Sequence, residues 1–244
     1  MADPRVDVAP TPEVLALRAA DVFEKALHEA AREGRRFSVA LSGGKTPRGM
    51  LCALAQRSLD WQGVHFFWSD ERCVGPDDPN SNFGMARDAL LRRVPVPAEH
   101  VHRMKGEMPP HEGARDYVAQ LCAFFGGPPI LDLVFLGLGP DGHTASLFPF
   151  TSALDVDDTP CTENRVDGPV PSPWRLTLTY PAINAARRVV FLVEGADKAD
   201  ILKLVLEGPR DLPRYPAQGV APAGELLWRV DAAAATQLSG RKVN

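Results

Sequence analysis

His143 closes the run Gly137-Leu138-Gly139-Pro140-Asp141-Gly142-His143, directly after the nearly all-apolar stretch Leu131–Leu136. That stretch reads as a buried strand, and open α/β sheets bind their ligands at the carboxyl ends of strands. An imidazole placed there is a candidate general base, because its charge changes near neutral pH. Two further loops could do chemistry. Ser42-Gly43-Gly44-Lys45-Thr46-Pro47 joins a strand to a helix, where backbone N–H groups can converge on an anion. Ser69-Asp70-Glu71-Arg72 follows an aromatic strand, with Asn80-Ser81-Asn82 on the loop beyond, and Arg72 offers a planar fork to phosphate or carboxylate.

Several familiar chemistries fail on spacing. A nucleotide P-loop needs glycine five residues before Gly44, and Val39 stands there, so the full motif fails and argues against ATP or GTP binding. Gly137, Gly139 and Gly142 formally match a dinucleotide fingerprint, but the long acidic stretch after Pro149 leaves no ordinary βαβ unit to complete it. There is no Gly-x-Ser-x-Gly elbow and no His/Cys/carboxylate cluster with metal-ligand spacing. If His143 does hydrolytic work, it acts on water directly. The other histidines (His28, His65, His100, His102, His111) lack comparable settings and are expected on surfaces or in satisfied pockets.

These loops must be positioned by alternating strands and helices. Thr11-Pro12-Glu13 is a helix start, and apolar residues from Leu15 to Ala30 recur at helical spacing until Gly34. Strands are expected at Phe37–Leu41, Val64–Trp68, Leu131–Leu136, Arg175–Thr179, Arg188–Val193 and Glu225–Val230, with a short one at Val101–Arg103. Helices are expected near Pro47–Arg57, Phe83–Arg93, Glu112–Phe125 and Gly195–Glu207, after His143, and in the alanine-rich C-terminal stretch. Residues 1–10 read as flexible, and 151–173 as an aperiodic surface excursion. The alternation implies one α/β domain over residues 1–244, Rossmann-like, its parallel or mixed sheet covered by helices on both faces.

Bulk properties narrow the partners. The 244 residues are 45% hydrophobic and 24% charged, ordinary globular values. A net charge of -4 argues against non-specific binding to nucleic acid or acidic membrane, while leaving a small anionic substrate open. No apolar stretch is long enough for a membrane span, and the polar start has no leader-like apolar core. Cys52, Cys73, Cys122 and Cys161 are scattered and read as free thiols of a reducing, cytoplasmic compartment.

Taken together, the three loops resemble the 6-phosphogluconolactonase family. The resemblance continues through Thr144-Ala145-Ser146-Leu147-Phe148-Pro149, Trp174–Thr179 and Gly195-Ala196-Asp197-Lys198-Ala199, and holds in order and spacing over residues 10 to 240. It implies hydrolysis of 6-phospho-D-glucono-1,5-lactone, a monomer, and no required metal or organic cofactor. The one small departure is Lys45, which adds positive charge after Gly44. Glucosamine-6-phosphate deaminases are similar at the glycine loop and the Asp-Gly-His core. They are expected to read Ile-Ala-Phe-Asn-Glu-Pro after the histidine and to carry tyrosine where Arg72 stands; here no acid follows His143. Sugar-phosphate sensor domains share the fold but carry a helix-turn-helix, for which the single helix before the first strand leaves no room.

On this reading His143 is the base, and Asp141 orients its ring or binds a sugar hydroxyl. A helix N-terminus after His143 would disfavour the charged ring. The amides of Gly43 and Gly44 are candidates to hold an oxyanion or a phosphate oxygen, within a substrate site formed by Ser42, Lys45, Thr46, Asp70 and Asn82. Arg72, Arg175 and Lys198 are the expected phosphate clamp.

Overall fold

The computed structural model describes residues 5–168 and 172–239. The chain runs β1 (Arg5–Ala9), α1 (Pro12–Arg32), β2 (Phe37–Leu41), α2 (Lys45–Leu54), β3 (Val64–Trp68), β4 (Asp70–Arg72) and α3 (Asn82–Ala86). It continues with α4 (Pro110–Phe125), β5 (Leu133–Leu136), β6 (Cys161–Arg165), β7 (Trp174–Leu178), α5 (Tyr180–Asn184), β8 (Arg188–Val193), α6 (Ala199–Glu207) and β9 (Glu225–Asp231).

Six strands form one parallel sheet in the order β1-β9-β8-β5-β2-β3. Strands β2, β3 and β5 are buried at every residue, as strands covered on both faces must be, even though β3 ends the sheet. Each is therefore mostly apolar and not alternating, with Ser38 and His65 the buried polar exceptions. Helix α1 starts where Thr11 caps it, its hydroxyl accepting from the Val14 amide at 3.3 Å, with Pro12 in the first turn. Its face of Leu15, Ala19, Phe23, Ala26 and Ala30 is buried, and Phe23 meets Phe37 edge-on at 5.1 Å. Burying one phenylalanine of this kind contributes about 1.5–3 kcal/mol.

A second sheet of three antiparallel strands, β4-β7-β6, stands beside the carboxyl ends of the first. Ser69 is the hinge between them: its amide donates to Leu41 of the main sheet and its carbonyl accepts from Leu178 of the small one, both at 2.8 Å. This hinge sets β4 and β7 over the strand ends that carry the glycine loops.

The single α/β domain with its mostly parallel sheet is as expected, but several local expectations are corrected. Within the stretch read as flexible, Arg5–Ala9 is an edge strand paired in parallel with β9; Asp7 locks it by accepting from Arg18 and Arg229. Met1–Pro4 lie outside the described residues. The 151–173 excursion holds β6 and a 3-10 turn at Ser152–Asp155, while residues 169–171 lie outside the described ones. β6 reads Cys-Thr-Glu-Asn-Arg, a pattern without apolar alternation, because its buried Asn164 is spent on hydrogen bonds. Val101 makes one isolated bridge to Phe66 and no strand. Where an alanine-rich C-terminal helix was expected, the described residues hold a 3-10 turn, Ala234–Gln237, and residues 240–244 lie outside the described ones. No helix follows His143: Thr144 and Leu147 bridge each other in a tight loop.

Candidate active site

β5 delivers its loop to the carboxyl edge of the sheet, and the loop folds back on itself there. The Gly139 amide donates to the His143 carbonyl at 2.8 Å, and the Thr144 hydroxyl donates to the Gly137 carbonyl at 2.9 Å. Gly142 has φ +84°, a conformation that favours glycine, and its carbonyl accepts from the Ala217 amide at 2.9 Å. Gly139 is required for a different reason. A Cβ there would lie 2.0 Å from Nδ1 of His143, so the imidazole rests directly on the glycine backbone. Phe148 covers the ring's other side, stacked at a centroid distance of 4.0 Å.

Asp141 fixes the ring's tautomer. Its Oδ1 accepts from the His143 amide at 3.1 Å and lies 2.5 Å from Nδ1. Partial burial opposes ionisation of Asp141, but the hydrogen bond and charge of His143 prevail and hold its carboxyl below the usual value. An ionised carboxylate has only acceptors to offer, so in the neutral form of the ring Nδ1–H donates and the lone pair lies on Nε2. This carboxylate, and not the helix dipole anticipated from the sequence, orients the imidazole.

His143 lines a cleft of about 460 Å³ together with Ser42, Gly43, Gly44, Asp70, Arg72, Asn82, Arg175 and Lys198. The structure thus gathers most of the sequence-predicted residues into one place. Arg72 and Arg175 face each other across the β4–β7 ladder. Neither lies within 4.0 Å of a carboxylate among the described residues. Arg72 donates to the Asn80 carbonyl at 2.6 Å, and Arg175 to the carbonyls of Ser172 and Trp174. Burial, and then the neighbouring charge of Arg72, push the Arg175 guanidinium below its usual value. Like charges directly opposite in a ladder are destabilising, so an anion bridging them would relieve the strain.

The remaining residues shape the cleft. Asp70 is buried, accepting from the Ser146 hydroxyl at 2.7 Å and, more weakly, from Asn82 and Ser69. Asn82 presses on Gly43, where a Cβ would fall 1.8 Å from Oδ1. The Ser42 hydroxyl is committed within the protein, donating to the Phe135 carbonyl at 2.5 Å. Lys45 and Thr46 line a neighbouring cleft of about 390 Å³, which shares Gly43, Gly44 and Lys198 with the first. Lys45 is exposed and lies 3.2 Å from Glu194, so the structure does not bring it to His143. Gly44, with φ +107°, precedes α2 without a side-chain cap, leaving the first-turn amides directed at that shared edge. Among the described residues, Asp197 is the one carboxylate within 4.0 Å of the Lys198 ammonium, at 3.9 Å.

Three supporting residues escaped the sequence reading. Glu71 looked like part of a surface turn, yet it is buried and accepts from the amides of Arg72, Asn82 and Phe83 and the Ser81 hydroxyl, at 2.7 to 3.0 Å. Burial pushes its carboxyl up, while the three amides oppose that shift. Ser146 and Asn164 tie the His143 loop to Asp70 and to β6. Ala145 takes φ +48°, uncommon for a residue with a side chain, so the loop between His143 and Ser146 is held under strain. Among the described residues no group of three or more His, Cys, Asp or Glu could hold a metal ion.

A parallel sheet with its cleft at the strands' carboxyl ends and an Asp-oriented histidine inside defines a Rossmann-like α/β enzyme. The chain belongs to the glucosamine-6-phosphate isomerase/6-phosphogluconolactonase family, whose pattern matches residues 10–228. It is 45% identical over 239 residues to the 6-phosphogluconolactonase of Nostoc sp., covering 96% of this chain and 98% of that one. The human 6-phosphogluconolactonase is 40% identical over 221 residues, 84% of this chain and 81% of that protein. The solved 6-phosphogluconolactonase from Trypanosoma cruzi superposes with a TM-score of 0.87 at 28% identity, covering 97% of both chains. A monomeric glucosamine-6-phosphate deaminase superposes with a TM-score of 0.82 over 96% of this chain and 99% of its own, but its 23% identity shows a shared fold alone.

Proposed function

We propose that this protein hydrolyses 6-phospho-D-glucono-1,5-lactone to 6-phospho-D-gluconate, the second step of the oxidative pentose phosphate pathway, with Nε2 of His143 as general base on water. The observation that carries the mechanism is His143, held by Asp141 at 2.5 Å, lining one cleft with two arginines that lack carboxylate partners among the described residues. Water attacks C1 of the lactone as Nε2 takes its proton, and the carbonyl oxygen becomes an oxyanion. The imidazolium, steadied by Asp141, then gives that proton to the ring oxygen as the C1–O bond breaks. A δ-lactone is an activated ester, so base assistance of about 10²–10⁴-fold, or about 3–5 kcal/mol, is a sufficient contribution.

The phosphate is held by Arg72, Arg175 and Lys198, which fixes the ring far from C1. The Gly43 and Gly44 amides at the start of α2 face the remaining oxygens. Asn82, anchored on Asp70, packs against Gly43 and keeps the glycine loop in place. The absence of an acid between His143 and Pro149, together with Arg72 where a deaminase is expected to have tyrosine, favours the lactonase over ring-opening deamination. This reading carries with it a cytoplasmic monomer without nucleic-acid partners, the last supported by the net charge of -4. No helix among the described residues is long and apolar enough to cross a membrane.

A coupled assay tests the assignment. Freshly made lactone, corrected for spontaneous hydrolysis, is expected to turn over rapidly, and glucosamine 6-phosphate in parallel to release no ammonia. Ammonia release with no lactonase activity would reverse the choice between the two.

A further inference from the structure

Phe148 lines the cleft but takes no part in the proton transfers of the hydrolysis. Its ring lies over the imidazole of His143, with centroids 4.0 Å apart and planes inclined by 25°. An aromatic face attracts a cation held above it, so this stack strengthens when the imidazole takes up a proton. The segment that carries Phe148 is fastened at both ends. The Asn164 side chain of β6, 2% exposed, donates from Nδ2 to the Ser146 carbonyl at 2.8 Å and to the Thr151 hydroxyl at 3.0 Å. That hydroxyl in turn donates to the Phe148 carbonyl at 2.8 Å. Between them Phe150 takes φ +59°, a left-handed conformation that costs free energy for a bulky residue, with its amide tied to the Pro213 carbonyl at 3.0 Å. The Phe150 residue is 76% exposed, so burial of its ring does not offset that strain. Such strain persists where the surroundings impose it, and what they fix here is the place of Phe148.

We propose that Phe148 is a positioning residue for the base: it clamps the imidazole of His143 against the Gly139 backbone, and its ring face steadies the imidazolium that forms as water gives up its proton. The proposal rests on the reading of His143 as the base of a lactonase. Asp141 and Phe148 divide the task. The carboxylate meets the imidazole edge at Nδ1 and the phenyl ring meets its face, which leaves Nε2 to the water. β6 serves this contact through Asn164 and Thr151, so the stretch between residues 151 and 173 has a part in the site.

Phe148→Leu keeps an apolar cover and removes the π face. For the lactone, kcat is expected to fall about fivefold with KM nearly unchanged. The acid limb of the kcat profile is expected about half a pH unit lower, because the charged ring has lost a partner. The charged groups around the ring stay in place: Asp141 at its edge, and Asp70, Arg72, Arg175 and Lys198 lining the cleft. A residue that only filled space would lower kcat without moving that limb. Thr151→Val keeps the side-chain shape and removes the hydroxyl that links Asn164 to Phe148. Alone it is expected to lower kcat about threefold, and in the Phe148→Leu background to add nothing, since it acts through the ring. An unmoved acid limb, effects that multiply in the double variant, or unchanged kcat in either single variant overturns the proposal. NMR titration of His143 without substrate separates it from the lactonase reading: the midpoint is expected at lower pH in Phe148→Leu than in the parent. A protein inactive on the lactone that shows this difference would refute the lactonase reading and leave the support of the charged ring standing. An active protein without the difference overturns the role of the stack and leaves that reading intact.

Discussion

Gly139→Ala isolates the positioning of the base from its chemistry. The added Cβ would stand 2.0 Å from Nδ1, 2.2 Å from Cε1 and 2.7 Å from Cγ of His143, where ordinary contact begins at 3.4 Å. The imidazole must therefore move by about 1.4 Å, and the 2.5 Å bond to Asp141 cannot survive that displacement. Gly139 is not among the residues with positive φ, so alanine meets no backbone strain there. A misplacement of about 1 Å in a catalytic group costs about a hundredfold. The expected result is a fall in kcat of at least about a hundredfold, or about 3 kcal/mol of barrier, with KM nearly unchanged and a melting temperature within a few degrees of the parent. Steady-state lactone hydrolysis, corrected for the spontaneous rate, measures it. A folded Gly139→Ala protein with kcat within about threefold of the parent would refute the claim that this backbone holds the base.

Other consequences follow from the same geometry. Asp141→Asn keeps the shape but removes the charge that steadies the imidazolium, so kcat is expected to fall at least about tenfold with little change in KM; equal rates would assign Asp141 a purely structural place. Arg72→Ala and Lys198→Ala are each expected to raise KM about tenfold or more, since charge-assisted bonds contribute about 1.5–3 kcal/mol. Unchanged KM in both would move the phosphate elsewhere. The histidine cluster governs acid stability. Burial, and then the charges of neighbouring histidines, lower His65 to about 4, and burial, His100 and Arg36 do the same to His102. Below pH 6.5 the unfolded chain takes up protons that the folded one refuses, so stability present above 6.5 is lost as pH falls toward 4. Thermal melts should show this loss, and His102→Phe, placed to stack on Phe67, should reduce it. An identical loss in both proteins would sink the explanation.

The main sheet was legible because β2, β3, β5 and β8 are apolar runs bounded by glycine or charge, and burial on both faces is what such runs record. β1 and β6 were not. β1 is five residues at a sheet edge with one partner strand, and its ordering depends on Asp7 meeting arginines at positions 18 and 229. β6 buries an asparagine whose partners, the Ser146 carbonyl and the Thr151 hydroxyl, lie 18 and 13 residues away in the chain. Local pattern cannot show a partner brought by folding. The same limit explains His143: its neighbours in sequence suggested a helix dipole, whereas the tertiary loop closed on itself and left Asp141 to orient the ring.

The arginine pair marks the boundary between what spacing shows and what only the fold can. Arg72 and Arg175 are separated by about a hundred residues, and each alone resembles an ordinary surface charge. Their significance arises when the Ser69 hinge turns β4 out of the main sheet, because β7 can then pair with it and set the two guanidinium groups opposite each other. An arrangement that costs stability in the empty protein persists only if something offsets it. Asp70 and Glu71 lie next to Arg72 in the chain and could have neutralised it. Both carboxylates are turned inward instead, Asp70 to Ser146 and Glu71 to the Asn82 and Phe83 amides, so the positive charge stays directed at the cleft. On the function proposed above, a dianionic phosphate is the missing partner, and its binding energy serves to fix C1 of the lactone against the ring that Asp141 and Gly139 hold in place.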